Sequence, residues 1–262
     1  MASSLIGGLI NNDHAASKIT VTDPDAKKLK QLQQQFSINI FTDNLQAVEN
    51  ADVIVLAVKP QILRDVCEHI KTVCATKSPL FISIAAGIRS TDIDRWLGNE
   101  NAIIRCMPNT PALIQAGASG LFANKASTQA QKDIAEKILS SAGITLWVEK
   151  ESLLDAVTAV SGSGPAYFFL FMEAMQQAGH KLGLSEQTAS LLARQTALGA
   201  ARMSMEGTDD PATLRTKVTS KGGTTAAALA SFEASNFSEI VEQALTAARD
   251  RAIELADELG KL

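Results

Sequence analysis

A chain of 262 residues, 46% hydrophobic and 20% charged, is long enough to bury one large core or two ordinary ones. A formal net charge of -4 and a pI near 5.5 exclude a general nucleic-acid binder, which needs a basic face to release counterions. The longest apolar runs, residues 53–58 and 80–88, fall well short of the roughly 20 residues that cross a bilayer. No signal-peptide pattern opens the chain, so neither a membrane nor secretion is expected. Cys67, Cys74 and Cys106 are odd in number and form no CxxC pair, which points to reduced thiols and a cytoplasmic location. His14, His69 and His180 lack zinc or nucleophile-triad spacing, and no metal is expected.

The chain opens at residues 1–10 on a pattern that reads as a helix already under way. Short β-rich runs follow at 19–22, 38–41, 53–58, 81–85, 103–107, 120–122 and 145–148, separated by helical patterns. Such alternation predicts parallel pairing through crossovers, an α/β sheet covered on both faces. Residues 53–58 (VIVLAV) are apolar throughout, as a central parallel strand should be. After Glu149 the β-runs stop. Phe168, Phe171, Met172, Met175 and Leu182 fall on one helical stripe, and Val241, Leu245, Ala248, Ala252, Leu255 and Leu259 on another. Ser185 and Ser238 stand at predicted N-caps. Two domains are expected, 1–149 and 150–262, joined by a helix. The second is all-helical and rich in alanine, suited to close packing between two chains.

The first domain resembles a Rossmann domain, in which strand, glycine turn, helix and strand lead to an acid at the second strand's tip. The run at 19–22 ends on Asp23, and counting back 21 residues reaches Ala2, a legal occupant of the third position in G-x-G-x-x-G/A. The first strand and glycine turn are therefore expected to be missing, lying upstream of Met1 in a truncated or mis-started chain. Those glycines let the backbone approach a pyrophosphate held on the first helix's free N–H groups. Asp23 would accept hydrogen bonds from a ribose 2′-hydroxyl and repel a 2′-phosphate, while Lys27 and Lys28 could offset that repulsion.

Five motifs follow in order. Leu56-Ala57-Val58-Lys59-Pro60-Gln61 and Ser83-Ile84-Ala85-Ala86-Gly87 each close a strand, where ligands of open α/β sheets bind. Arg105-Cys106-Met107-Pro108-Asn109-Thr110-Pro111 fixes a loop with two prolines. In the helical half, Ser161-Gly162-Ser163-Gly164-Pro165 breaks one helix and starts another. The last motif is Val218-Thr219-Ser220-Lys221-Gly222-Gly223-Thr224-Thr225, whose glycines free the backbone to turn into a helix. A concave row of N–H donors there suits a carboxylate or phosphate; a glycine hinge with Thr224 as cap is the equal alternative. The spacing is not that of a P-loop.

With these motifs the chain closely resembles the pyrroline-5-carboxylate reductase family from about Leu56 to the C-terminus, and more weakly back to Met1. The resemblance implies reduction of 1-pyrroline-5-carboxylate, a small cyclic imine carboxylate, to L-proline by NADP(H), with NAD(H) as the alternative. By resemblance Ala57, Val58, Lys59 and Pro60 lie along the cofactor, Ala85, Ala86, Gly87 and Asn109 line its nicotinamide side, and Asn44 sits near the adenosine ribose. Ser220, Gly222, Gly223 and Thr224 are assigned to the substrate carboxylate, and Thr225 to the ring nitrogen as catalytic hydroxyl. The active site is then expected between the domains of a homodimer or a ring of dimers. Two rivals are a 3-hydroxyacid dehydrogenase, for which Lys150 is the only lysine near the linking helix, and a non-catalytic dimeric relative without a cofactor turn.

Overall fold

The computed structural model describes residues 1–261, which divide into two compact units. Unit 1 comprises Met1–Ser163 together with the chain from Ala247 on, and unit 2 is Gly164–Thr246.

Unit 1 is α/β. After α1 (Ala2–Asn11), β1 (Thr20–Thr22) and β2 (Asn39–Phe41) pair in parallel through α2 (Ala26–Phe36). Helix α2 starts where Asp25 accepts the N–H groups of Lys27 and Lys28, a side-chain cap. The short α3 (Asn44–Val48) leads to a separate five-stranded sheet, in which β3 (Val53–Leu56), β4 (Leu80–Ser83) and β5 (Ile103–Met107) run parallel. Their crossovers are α4 (Pro60–Cys74) and α5 (Ser90–Leu97). Pro60 opens α4 at a position where its missing N–H is harmless.

The pairing of β5 with β6 (Gly117–Ala123) corrects the all-parallel expectation: it is antiparallel, with Cys106 opposite Leu121. A parallel return needs a crossover of a dozen residues or more. Residues 108–116 are too few, and Gln115 reverses the chain in a left-handed conformation (φ 59°). Helix α6 (Gln129–Leu139), opened by a Thr128–Gln131 capping box, then returns the chain so that β7 (Gly143–Trp147) lies parallel to β6.

Because successive strand residues face opposite ways, Phe81 and Ile103 enter one core while Ile82 and Ile104 enter the other. The first core packs Leu63, Cys67 and Ile70 of α4 and Ile93 and Trp96 of α5. The second packs Leu5 of α1 with Ala135 and Leu139 of α6.

The compact units change over between Ser163 and Gly164. Helix α7 (Leu153–Val157) and the π-turn Thr158–Gly162 belong to unit 1, because Leu154 is buried and Val157 packs on Gly120, where a Cβ would meet it at 2.6 Å. Unit 2 is helical: α8 (Gly164–Lys181), α9 (Glu186–Glu206), α10 (Pro211–Lys217), α11 (Thr224–Ala234) and the first half of α12 (Phe237–Leu259). Ser185 caps α9 as expected, its hydroxyl accepting the Thr188 N–H. Ser238 is no cap: α12 begins one residue earlier, after Asn236 turns the chain at φ 53°. Phe171, Phe232 and Phe237 form an aromatic trio with centroids 5.4–6.4 Å apart. Among the described residues no helix is long and apolar enough to cross a membrane.

Candidate active site

The sequence-assigned cofactor residues fall at the C-terminal ends of the parallel strands. Asp23 follows β1, Asn44 opens the helix after β2, and Ala57, Val58, Lys59 and Pro60 follow β3. Ala85, Ala86 and Gly87 follow β4, and Asn109 follows β5. Ala57, Lys59 and Ala86 are exposed, and Gly87 takes φ +73°, a left-handed turn that a side chain would strain. Ala2 is the first residue of α1, whose N-cap Met1 offers no side-chain cap. Small side chains at the strand ends and uncapped N–H groups at α1 fit a dinucleotide.

Three of these side chains already have local partners. One carboxylate oxygen of Asp23 accepts the Asp25 N–H at 2.8 Å, closing a turn before α2. The Asn44 carbonyl accepts from the Thr22 hydroxyl at 3.0 Å, joining the ends of β1 and β2. Asn109 is buried, donates to the Ser161 carbonyl at 3.1 Å and accepts from the Ala118 N–H at 2.9 Å. It therefore latches the loop after β5 to the π-turn, a class of distortion frequent at functional sites. Gly162 completes that contact, since a Cβ there would stand 2.5 Å from Met107.

Sequence reasoning missed a charged cluster beside these strand ends. Arg105, buried on β5, donates to Glu151 at 2.9 Å. The same carboxylate accepts the Ser90 N–H at 2.6 Å and the Ser90 hydroxyl at 2.8 Å, so it caps α5 from another segment. Arg89 pairs with Asp257 of α12. Asp155 lies among these groups: burial raises its carboxyl above the ordinary range, Arg105 and Arg89 pull it down, and Glu151 and Asp257 push it up. The signal was Arg105 itself, one charge inside the apolar strand I-I-R-C-M. The cysteines offer no nucleophile. Burial pushes the thiols of Cys67 and Cys106 up to about 12.

In unit 2, residues 220–225 form a single turn into α11. Gly222 is left-handed (φ +71°), Gly223 donates to the Ser220 carbonyl at 3.1 Å, and a Cβ on Gly223 would strike the Ser220 hydroxyl at 2.4 Å. Gly222 is thus required by conformation, and Gly223 packs closely against Ser220. Gly223, not Thr224, is the N-cap, and it supplies no side-chain cap. The first intrahelical bond closes from the Ala227 N–H to the Gly223 carbonyl, so the N–H groups of Thr224, Thr225 and Ala226 have no intrahelical partner, while that of Gly223 is taken by Ser220. Ser220, Gly222 and Thr224 are exposed, whereas Gly223 and Thr225 are half-buried.

Comparison with known proteins follows the same two-part division. Residues 151–255 match the model described as pyrroline-5-carboxylate reductase dimerisation, and residues 1–87 match that described as NADP oxidoreductase coenzyme F420-dependent. The chain is 51% identical to a pyrroline-5-carboxylate reductase of Pseudomonas aeruginosa, covering 100% of this chain and 95% of that protein. A pyrroline-5-carboxylate reductase structure from Coxiella burnetii superposes with a TM-score of 0.95 at 44% identity, covering 97% of this chain and 94% of that one. A Plasmodium falciparum pyrroline carboxylate reductase with NADP bound gives 0.83 at 32%, with the same coverage of each chain. A Rossmann-like nucleotide domain followed by a helical dimerisation region, matched along its length by these reductases, makes the chain a member of the pyrroline-5-carboxylate reductase family.

Proposed function

We propose that the chain reduces 1-pyrroline-5-carboxylate to L-proline with NADPH or NADH, the closing step of proline biosynthesis. The full-length 51% match to a reductase of that name carries the reading. The turn at 220–225 supports it chemically, since it offers a small carboxylate the free N–H groups of an uncapped helix start.

When bound, the reduced nicotinamide supplies hydride to the imine carbon. The chain's own work is positioning. The backbone around Ser220, Gly222, Gly223 and Thr224 holds the substrate carboxylate through the N–H groups left free at the start of α11, and the Thr225 hydroxyl donates a hydrogen bond to the ring nitrogen. A hydroxyl titrates far above neutral pH, so Thr225 orients and conducts a proton without acting as a strong acid. Holding two reactants in register can lower a barrier by about 7–11 kcal/mol. Ala57, Val58, Lys59, Pro60, Ala85, Ala86 and Gly87 form the cofactor wall, with Ala2, Asp23 and Asn44 on its other side. Asn109 shapes the wall through its latch on Ser161.

The minimum unit is a homodimer, supported by the dimerisation model over 151–255 and by the exposed apolar residues of α8 and α9. Rings of such dimers extend this proposal. Three free cysteines suit a cytoplasmic enzyme. The rival 3-hydroxyacid chemistry would want a lysine on the linking helix, and Lys150 sits in the turn before α7. Assay of the purified chain with the cyclic imine and NADPH, following loss of nicotinamide fluorescence, tests the proposal. Turnover of a 3-hydroxyacid in its place would refute it.

A further inference from the structure

The turn 85–87 after β4 is braced from behind by the end of the last helix. The α12 backbone passes Gly87 so closely that a Cβ there would lie 3.3 Å from Leu259 Cδ1 and 3.7 Å from the Ala256 nitrogen. Leu259 packs on the core that contains Ala85 and Ile88. Two residues beyond Gly87, Arg89 pairs with Asp257, and Arg95 of α5 donates to the Gly260 carbonyl at 3.1 Å while pairing with Asp92 at 3.0 Å. Glu151 fixes the other side by capping α5 at Ser90. A glycine turn with φ +73° has wide conformational freedom unless its surroundings restrict it. Here the restriction comes from residues nearly 170 positions away in sequence.

We propose that Asp257 is a positioning residue for the nicotinamide cofactor: through Arg89, and with Leu259 behind Gly87, it holds the turn 85–87 in its binding conformation. This rests on the reading of that turn as a cofactor contact. The effect of Asp257 and Leu259 belongs to cofactor affinity, not to the hydride step.

The test compares the full chain with Asp257→Asn, with the exchanged pair Arg89→Asp/Asp257→Arg, and with Leu259→Ala. NADPH dissociation constants come from nicotinamide fluorescence, and kcat and KM for the imine are measured at saturating NADPH. Asp257→Asn should weaken NADPH binding about fivefold, equivalent to about 1 kcal/mol at 1.4 kcal/mol per tenfold and the upper end for an ion pair this exposed. Imine KM and kcat should stay within about twofold, and the exchanged pair should recover most of the affinity. Leu259→Ala should weaken NADPH in the same direction, and circular dichroism establishes that each variant is folded. Unchanged NADPH affinity in both Asp257→Asn and Leu259→Ala overturns the proposal, as does a loss confined to kcat. Ala86→Leu separates the two readings. If it weakens NADPH while the Asp257 and Leu259 variants do not, only the brace is wrong. If it leaves NADPH binding intact, the turn is not a cofactor contact and both readings fall.

Discussion

In unit 1 the large apolar side chains are enclosed: Phe81, Leu63, Ile103 and Leu121 have essentially no exposure. In unit 2 residues of the same kind lie open, with Phe168 69%, Leu198 53% and Met205 72% exposed. The sheet can bury both of its faces because crossover helices return over them. Among the described residues helices α8 and α9 keep large apolar side chains exposed, within the region that matches a dimerisation model, and exposed apolar patches mark association surfaces. One unit closes its core by topology, and the other lies in the region matched by a dimerisation model. Unit 1 should therefore register substitutions as stability, and unit 2 as assembly or catalysis.

The largest expected effect tests the closed half. Phe81→Ala removes a side chain with no exposure and should cost about 3–5 kcal/mol in urea unfolding, whereas Phe168→Ala should change unfolding of the chain little. Equal losses at the two positions would erase the contrast. Next is Thr225→Ala, expected to lower kcat about a hundredfold, near 2.7 kcal/mol, with little change in melting temperature. Wild-type turnover would remove Thr225 from the mechanism. Leu198→Glu places a charge on the open face of α9 and should weaken association roughly thirtyfold by sedimentation, about 2 kcal/mol. An undisturbed oligomer would put the association surface elsewhere.

The smallest effect concerns Asp155. Burial raises its carboxyl above the ordinary 3.8, so the folded chain binds that proton more tightly than the unfolded chain does. Its contribution to stability is most favourable below the ordinary value and declines as pH rises through the raised one. Asp155→Asn should thus melt higher than the parent at pH 7, by a margin that shrinks as pH falls toward 4. A margin that grows in acid would mean that the Arg105 and Arg89 charges outweigh burial.

Much of unit 1 was legible because strand runs are short, apolar and punctuated. All seven predicted runs became strands, with ends displaced by a few residues. The direction of β6 was not legible from alternation alone. It depended on the length of 108–116 and on a non-glycine residue, Gln115, accepting a left-handed turn. Composition changes at Glu149, whereas the compact units change at Ser163, because α7 buries Leu154 in unit 1, and packing of that kind leaves no compositional mark. Within the site, motif spacing located the strand ends and the α11 turn. It gave no sign that Asp257 approaches Arg89 or that Glu151 caps α5, since such long-range pairs leave no periodic trace. The occupied state of Asn109 was equally invisible, because an asparagine between prolines reads the same whether its amide is free or engaged.

That engagement has a consequence for chemical ageing. Asn109 works only as an amide, one end giving a proton to the Ser161 carbonyl and the other receiving one from the Ala118 backbone. Deamidation would leave the acceptor side intact and turn the donor into a second oxygen, set against a carbonyl at the same short range. The damaged molecule would keep its sheet yet let go of the π-turn, so loss of activity in old protein should run ahead of loss of fold.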